Sequence, residues 1–410
     1  MTQGLKPVDV HLQEILTAVA PLGSLVLTLS DAHGCVLAED VFTTFPLPPY
    51  DMAAADGYAV RSEDVRLATP DTPTVLPVVG DVVAGSNTPY TVQPGLSVRI
   101  MEGAPMPPGA DAVVPYGATD GGMANVAIRR PAGSNRYVNA AGSEAPSGTR
   151  LMAAGTNLGA AQIGLLAAVG RDRVAVMPRP RVVVMSTGQD LVEPGQQLAR
   201  GQRPDANSAL LTSAAEEAGA IAFRVGIVPD QPGVLADTLE DQLIRADVVI
   251  AAGGSGGGSG VLREVVSRLG QVSFDHVAMH PGSSQGFGLI GPDHTPFFAL
   301  PSDPVAAYLS FEAFVRPALR RMIGVEPITR PLVRARLHDQ IRSAPGVRSY
   351  LAAWLAVEDG AYTVRVTHGA SSGQIAGLAS ANALIVVPEE VAILDRGEPA
   401  TVMMLERRQP

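Results

Sequence analysis

The chain has 410 residues, a formal net charge of −10 and one cysteine, Cys35. Its length predicts roughly two to four folding units. The acidic balance and the lack of a basic block argue against a nucleic-acid partner, and one cysteine excludes an intrachain disulfide framework.

The sequence gives no sign of a membrane or secretory segment. No apolar run reaches the roughly 18 residues that a membrane-spanning helix needs. The stretch from Met1 to Asp9 is polar and interrupted by proline, unlike a signal peptide. We therefore expect a cytoplasmic protein without direct membrane insertion.

The first part of the chain predicts a helix followed by a β-rich lobe. Val8 to Val19 has the apolar spacing of a core-facing amphipathic helix. Residues 46–137 hold short β-type runs separated by proline and glycine, which predicts a separate lobe. Leu158 to Val169 predicts a second helix, and the Pro178-Arg179-Pro180 segment after it indicates a hinge where a new domain begins.

An α/β region follows that hinge. Arg181 to Ser186, Ala222 to Val228 and Asp247 to Ala252 are apolar runs, and helical segments such as Ser208 to Ala218 separate them. Strands that alternate with helices predict a parallel sheet covered on both faces. Ligands bind such sheets at the carboxyl ends of the strands, so the loops after these runs should converge on one crevice.

The third of these loops is a glycine run. Six of the eight residues from Gly253 to Gly260 are glycine, directly after a buried strand. Backbone N–H groups in such a loop can approach a phosphate closely. The run lacks the Lys-Ser/Thr pair of a P-loop and the dinucleotide G-x-G-x-x-G spacing. A flexible linker is the alternative, but the helical spacing of Val261 to Leu269 favours a strand, loop and helix.

The pattern returns to β-type runs after Pro327. They are Leu332 to Leu337, Tyr350 to Val357, Tyr362 to Thr367 and Ala383 to Val387. Short strands of this kind predict a small terminal β domain with a barrel fold.

Several polar residues are candidates for chemistry, each with a structural alternative. Asp56 precedes Gly57 and could equally form an Asp-Gly turn. Asp190 and Asp205, with Asn207, offer oxygen ligands for Mg²⁺ or, alternatively, a helix cap. His280 has no second histidine or cysteine at metal-ligand spacing, so a structural role is the simpler interpretation.

Taken together, these segments resemble the MoeA molybdenum insertases and the E domain of gephyrin. The matching motifs cover nearly the whole chain: DGYAVR from Asp56, GAPMPPGADAVV from Gly103, STG from Ser186, the Gly253-Gly254 loop, HPG from His280, LPSDPVA from Leu300 and LASANALIVVPEE from Leu378.

The resemblance implies an α/β fold with several subdomains in an elongated homodimer. The implied subdomains are a discontinuous central dimerisation subdomain (1–45 and 138–178), a β-rich lobe (46–137), an α/β molybdopterin-binding-like subdomain (179–327) and a C-terminal β-barrel (328–410). Active family members insert molybdate into adenylylated molybdopterin with Mg²⁺-dependent hydrolysis of the adenylate.

The resemblance also implies roles for individual residues. Catalysis would fall to Asp56, Glu144, Asp190 and Asp230, with Asp190 and Asp230 as Mg²⁺ ligands if the protein is active. The implied substrate-binding residues are Ser186, Thr187, Gly188, Gly253, Gly254, Gly256, Gly258, His280, Gly282, Pro301, Pro304 and Ser372.

The sequence departs from the family pattern where an anion would bind. The family's K-P-G-K-P segment starts here at His280 and has lost both lysines, and Glu102 and Asp303 add negative charge. The formal charge near the site falls by about four units when histidine is neutral. Since each screened charge at 4 Å contributes about 1 kcal/mol in water, anion binding should weaken. This predicts a retained scaffold with impaired insertase chemistry.

Three functions remain open. The first is an adaptor similar to actinobacterial gephyrin-like division proteins, which would bind a peptide such as the FtsZ C-terminal tail, and a membrane receptor, at the division septum. The second is an active molybdopterin molybdenumtransferase with altered substrate contacts. The third is an enzyme for another nucleotide-bearing small molecule that uses the same crevice.

Overall fold

In the computed structural model the described residues are 4–85, 90–253, 260–367 and 374–405. They form two compact units, one of residues 27–33 and 37–174 and the other of the remaining described residues. The boundaries of the four predicted subdomains stay predictions. Among the described residues, no helix combines the length and the hydropathy that a bilayer crossing requires.

The helices and strands before the hinge are short. They are α1 (Val8–Ala18), β1 (Leu25–Thr28), α2 (Leu29–Ala32), β2 (Val36–Leu37), β3 (Val41–Phe42), β4 (Met52–Ala53), β5 (Gly57–Val60), α3 (Ser62–Val65), β6 (Thr74–Val82), β7 (Ser97–Ile100), β8 (Ala112–Pro115), β9 (Asn125–Ile128), β10 (Val138–Asn139), β11 (Arg150–Met152), α4 (Ala160–Ala168) and β12 (Arg173–Met177).

The β-rich lobe contains a five-stranded sheet in the order β8-β5-β7-β6-β9. Its apolar residues alternate between two cores, since Tyr58 and Val60 lie in one and Ala59 lies in the other. This alternation follows from the two-residue period of a strand. The prediction of a β-rich lobe is confirmed.

Longer elements follow the hinge. They are β13 (Arg181–Thr187), β14 (Leu191–Val192), β15 (Arg203–Pro204), α5 (Asn207–Glu217), β16 (Ile221–Val228), α6 (Pro232–Leu243), β17 (Val248–Ala252), α7 (Gly260–Leu269), β18 (Gly270–His276), β19 (Met279–His280), β20 (Ser284–Ile290), β21 (Thr295–Leu300), α8 (Pro304–Ser310), a π-helix (Phe311–Val315), α9 (Arg316–Ile323), β22 (Leu332–Leu337), β23 (Ile341–Arg342), β24 (Arg348–Glu358), β25 (Ala361–Val366), α10 (Ile375–Ala379), β26 (Ala383–Val387), β27 (Ile393–Leu394) and β28 (Pro399–Met404).

The central sheet has six strands in the order β16-β13-β17-β21-β20-β18. The first four strands are parallel to one another, β20 is antiparallel to β21, and β18 is antiparallel to β20. The predicted parallel arrangement of β13, β16 and β17 is confirmed, and the sheet has two further strands, β18 and β20, that the sequence did not predict. Glycine and polar residues interrupt the apolar pattern of Gly270–His276 and Ser284–Ile290, so no apolar run marks these two strands.

The sheet is buried on both faces. Val182 and Val184 of β13 lie in one apolar core, and Val183 and Met185 lie in the other. The first core also contains residues of α1, α5, α8 and α9, whereas residues of α6 and α7 belong to the second. A strand covered in this way buries side chains on both faces, which explains the continuous apolar run from Val182 to Met185.

The C-terminal strands form a closed barrel. Their order is β24-β25-β22-β28-β26, and β26 pairs back onto β24. The interior contains residues such as Leu337, Leu355 and Ile385. Closure removes exposed sheet edges, and the predicted barrel is confirmed.

Candidate functional site

The four parallel strands end together at one edge of the central sheet. Thr187 is in register with Val228, Ser186 with Ala252, and Ala252 with Leu300. The loops after β13, β16, β17 and β21 therefore leave from the same side. This carboxyl edge is where a doubly covered parallel sheet binds ligands.

A buried hydrogen-bond network fixes the first loop. The Ser186 hydroxyl donates to the Asp205 carboxylate at 2.8 Å, and the Ser208 backbone N–H donates to the same oxygen at 3.1 Å. Arg224 lies 3.5 Å from the other carboxylate oxygen. Asp205 is 1% exposed, and its carboxylate holds the start of α5 through the Ser208 N–H. These bonds favour the capping alternative for Asp205, and its role as a cation ligand stays a prediction.

Three side-chain oxygens at this edge have no partner. They are Thr187 Oγ1, Asn207 Oδ1 and Asp230 Oδ1, and within the part of the chain that the structure describes they are the buried side-chain oxygens without a hydrogen bond. Leaving a buried polar group unpaired costs about 1–3 kcal/mol. Three such atoms at one sheet edge make it the candidate binding position, because a ligand, an ion or water would complete their hydrogen bonds.

The described glycines of this edge allow close backbone approach. A Cβ atom on Gly253 would lie 2.3 Å from the Thr187 carbonyl oxygen and 2.8 Å from its hydroxyl, and the φ of Gly253 is +107°. Gly188 would meet Asp190 and Leu191 at 3.0–3.2 Å. The predicted binding residues Gly254, Gly256, Gly258 and Ser372 lie outside the described residues.

Asp190 is paired with a cation of its own chain. The Arg203 guanidinium donates to Asp190 Oδ2 at 2.5 Å. Chiefly through this hydrogen bond, Arg203 holds the pKa of the Asp190 carboxyl below its usual range. Asp190 is thus ionised at neutral pH, but Arg203 already neutralises part of its charge.

The two predicted Mg²⁺ ligands differ in how well they fit that role. Asp230 has a buried carboxylate oxygen with no partner, which suits a hard cation that takes oxygen ligands. Asp190 would have to leave Arg203 or share its carboxylate. A geometric cluster of three potential ligands does exist elsewhere, at His11, Glu14 and Asp275, but the Lys6 ammonium already bridges both carboxylates at 2.6 and 2.7 Å.

A cleft of about 870 Å³ lies between the α/β region and the barrel. His280 and Gly282 line it from one side, and Arg342 and Tyr350 line it from the barrel. Gly282 has a φ of +100°, and a Cβ atom there would lie 3.0 Å from the Ser310 hydroxyl. His280 is exposed, and Arg342 is a cation that our sequence analysis did not identify in this cleft.

The turn from β21 into α8 carries the predicted Pro301 and Pro304. Both prolines are half-buried, and Pro304 is the first residue of α8. Asp303 between them accepts a hydrogen bond from the Ala306 N–H at 2.9 Å and caps the helix. Aspartate is a preferred residue at this position, so the local backbone accounts for Asp303.

The predicted catalytic residues Asp56 and Glu144 belong to the other compact unit. Asp56 is exposed, and its carboxylate accepts from the Glu102 backbone N–H at 2.8 Å. The next residue is glycine because a Cβ atom on Gly57 would lie 2.1 Å from the Val114 carbonyl oxygen.

Glu144 is exposed, and its backbone N–H donates to the Leu47 carbonyl at 3.0 Å. Both carboxylates face solvent.

The central sheet and the closed barrel define a mixed α/β protein with a C-terminal β-barrel. Three sequence families match it in order: MoeA N-terminal region (domain I and II) at residues 6–170, probable molybdopterin binding domain at 183–321, and MoeA C-terminal region (domain IV) at 334–405. The chain belongs to the MoeA family.

Named relatives agree over the full length. The chain is 43% identical to molybdopterin molybdenumtransferase 1 of Mycobacterium tuberculosis (strain H37Rv), covering 95% of this chain and 96% of the relative. It is 37% identical to molybdopterin molybdenumtransferase 2 of the same strain, covering 96% and 98%.

Solved structures show the same fold. Two molybdopterin biosynthesis MoeA proteins from Pyrococcus horikoshii superpose with TM-scores of 0.80 and 0.73, at 30% and 27% identity. Each match covers 98% of this chain and 100% of the other.

Proposed function

We propose that this protein is a molybdopterin molybdenumtransferase, which inserts molybdate into adenylylated molybdopterin. The observation that carries the proposal is the set of unpaired buried oxygens of Thr187, Asn207 and Asp230. They lie within the segment that matches the probable molybdopterin binding domain. Full-length relatives that bear the transferase name support the same function.

The carboxylates that this chemistry needs are present. Asp230 offers a free oxygen at the sheet edge, and Asp190 stays ionised beside Arg203. Asp56 and Glu144 are exposed and open to a substrate. When Mg²⁺ is bound, it would neutralise charge on the adenylate phosphate, and Asp230 is the described residue best suited to hold it.

The predicted impairment of the site has less support than the transferase alternative. Part of the unfavourable charge came from Asp303, and Asp303 caps α8 through the Ala306 N–H. The cleft also contains Arg342 opposite His280, which supplies one cation where the family lysines are missing. The relatives at 43% and 37% identity both bear the transferase name.

The test is a coupled assay with adenylylated molybdopterin, molybdate and Mg²⁺ that follows AMP release. Wild type should turn over, and Asp230→Asn should lose at least tenfold in rate, since it removes the charge but keeps the shape. Asp237→Asn on the exposed face of α6 is the matched control and should retain the wild-type rate. No AMP release from folded wild type would overturn the proposal.

A second candidate is the peptide-binding adaptor, and the cleft favours it. Val347, Tyr350 and Leu351 form an apolar wall beside the polar His280, and mixed walls of this kind can hold an extended peptide. A homodimer would add avidity towards a polymeric partner. Titration with an FtsZ C-terminal tail peptide tests it: saturable binding that Val347→Asp abolishes would support the adaptor, and no binding would exclude this peptide.

A further inference from the structure

Asn207 is the first residue of α5, at the carboxyl edge of the sheet, and one of the two polar atoms of its side-chain amide has no hydrogen-bond partner. The side chain is 5% exposed, its Nδ2 donates to the Ser302 carbonyl at 2.9 Å, and its Oδ1 has no partner. The bond to Ser302 fixes the orientation of the amide, because only the nitrogen can donate to a carbonyl. The free atom is therefore a pure acceptor held in place by the end of β21.

Thr187 presents a second unpaired oxygen at the end of β13. It is 6% exposed, and its hydroxyl lies 2.8 Å from the position that a Cβ atom on Gly253 would take. The neighbouring Ser186 is bound to Asp205, which also holds the Ser208 N–H at the start of α5. This network links the strand that carries Thr187 to the helix that carries Asn207.

The unpaired atoms at this edge determine which chemical groups of a ligand can form hydrogen bonds there. Asn207 Oδ1 accepts hydrogen bonds and cannot donate them, and the Thr187 hydroxyl can accept one as well. Phosphate and molybdate oxygens are also acceptors, so they would leave Asn207 Oδ1 unpaired. Neutral amide and hydroxyl oxygens are weaker ligands for Mg²⁺ than carboxylates and waters. The edge suits a planar group with N–H donors.

We propose that Asn207 and Thr187 are the specificity-determining residues that receive the N–H edge of the pterin ring. The proposal deepens the transferase function and rests on it. A buried site built to pair with a ligand N–H rejects an analogue that lacks this donor, because the site atom then stays unpaired. Recognition of the amino group would distinguish pterins from related pteridines.

The experiment compares two stable probes, 6-hydroxymethylpterin and 6-hydroxymethyllumazine. They have the same ring shape, but the pterin carries an amino group at C2 where the lumazine carries a carbonyl oxygen. We expect wild type to bind the pterin at least about tenfold more tightly by calorimetric titration, the effect of one unpaired buried acceptor. Asn207→Leu should reduce this preference to about twofold or less. Thr187→Val should weaken pterin binding and keep its melting temperature at or above that of wild type.

Matched controls separate recognition from folding. Asn382 has both ends of its amide bonded to Leu355, at 2.7 and 2.9 Å, inside the barrel. Asn382→Leu should lower the melting temperature and leave the pterin preference unchanged. Thr119, with its hydroxyl bonded to Tyr116 and Gly121, provides the corresponding control for Thr187→Val.

Three results would overturn the proposal. One is equal binding of the two probes by wild type, and another is an undiminished preference in Asn207→Leu. The third is failure of 6-hydroxymethylpterin to bind wild type. Loss of Mg²⁺ dependence in the Thr187 variant, with pterin binding unchanged, would assign that hydroxyl to the metal instead. AMP release by wild type in the transferase assay would show that the proposed function stands when only this inference fails.

Discussion

The carboxyl edge of the central sheet and the C-terminal barrel differ in how fully their polar side chains are paired. In the barrel, half-buried Asn382 uses both ends of its amide, and half-buried Arg348 binds Asp9 and Glu389. At the sheet edge, Thr187, Asn207 and Asp230 each keep a buried oxygen unpaired. Both regions belong to one compact unit. From this contrast we expect the unpaired oxygens of the sheet edge to contribute less to stability than the paired polar groups of the barrel.

The largest effect should come from a buried charge that is fully paired. Glu312 is 4% exposed and accepts from Arg330 Nε and Nη2, each at 2.9 Å, with Arg316 3.7 Å away. Glu312→Ala should lower the free energy of unfolding by about 3–5 kcal/mol, because it leaves buried guanidinium groups without their carboxylate.

Denaturant unfolding measures this loss. Glu264→Ala, which removes the exposed partner of Arg268 on α7, is the control and should cost less than about 1 kcal/mol. A similar small loss for both variants would contradict the assignment of Glu312 as a structural anchor.

His11, which lies away from the sheet edge, has a buried ring nitrogen, Nδ1, without a hydrogen-bond partner. It should give the second-largest effect. Burial, with a smaller contribution from the Lys6 ammonium, lowers the pKa of His11 from 6.5 to about 4. The unfolded chain then binds more protons than the folded one between these two values. Stability should fall as the pH drops through this window, by up to about 3 kcal/mol from this group.

Unfolding free energies measured from pH 7 to pH 4 check the sign. Other carboxylates also titrate there, so the difference between wild type and His11→Leu isolates the histidine. The variant should show a shallower loss, and exposed His33→Gln should follow wild type. Equal slopes in wild type and His11→Leu would show that His11 titrates normally.

Two threonine-to-valine substitutions compare the removal of an unpaired hydroxyl with the removal of a hydrogen-bonded one. Thr187→Val removes an unpaired oxygen and should leave stability unchanged or raise it by about 1 kcal/mol. Thr119→Val removes a hydroxyl that is bonded to Tyr116 and Gly121 and should cost about 1 kcal/mol. Thermal unfolding of both variants is the measurement, and a loss for Thr187→Val as large as that for Thr119→Val would contradict our account.

The smallest effect concerns the ion pair at the edge. Arg203 binds Asp190 at 2.5 Å in a partly exposed setting. Arg203→Gln should free the Asp190 carboxylate and lower the Mg²⁺ concentration at half-maximal AMP release by a few-fold, since exposed pairs contribute about 1 kcal/mol or less. A rise in that concentration would show that Arg203 binds the substrate instead.

The sequence predicted the parallel strands and the barrel because burial imposes continuous or alternating apolar runs. It could not reveal β18 and β20, because their glycine and polar residues interrupt the apolar pattern that marks a strand.

The candidate site was predicted only in part. Asp205 and Asn207 stand two positions apart and look equally suited to a cation, yet their different partners, Ser186 and Ser302, are distant in sequence. Only the folded chain distinguishes the engaged carboxylate from the free amide oxygen.

Calorimetric titration with adenylylated molybdopterin and Mg²⁺ tests the central claim, that the unpaired edge binds this substrate. We predict micromolar or tighter binding by wild type and binding at least about tenfold weaker by Asp230→Asn. No heat of binding from folded wild type, or equal affinity in the two proteins, would contradict it.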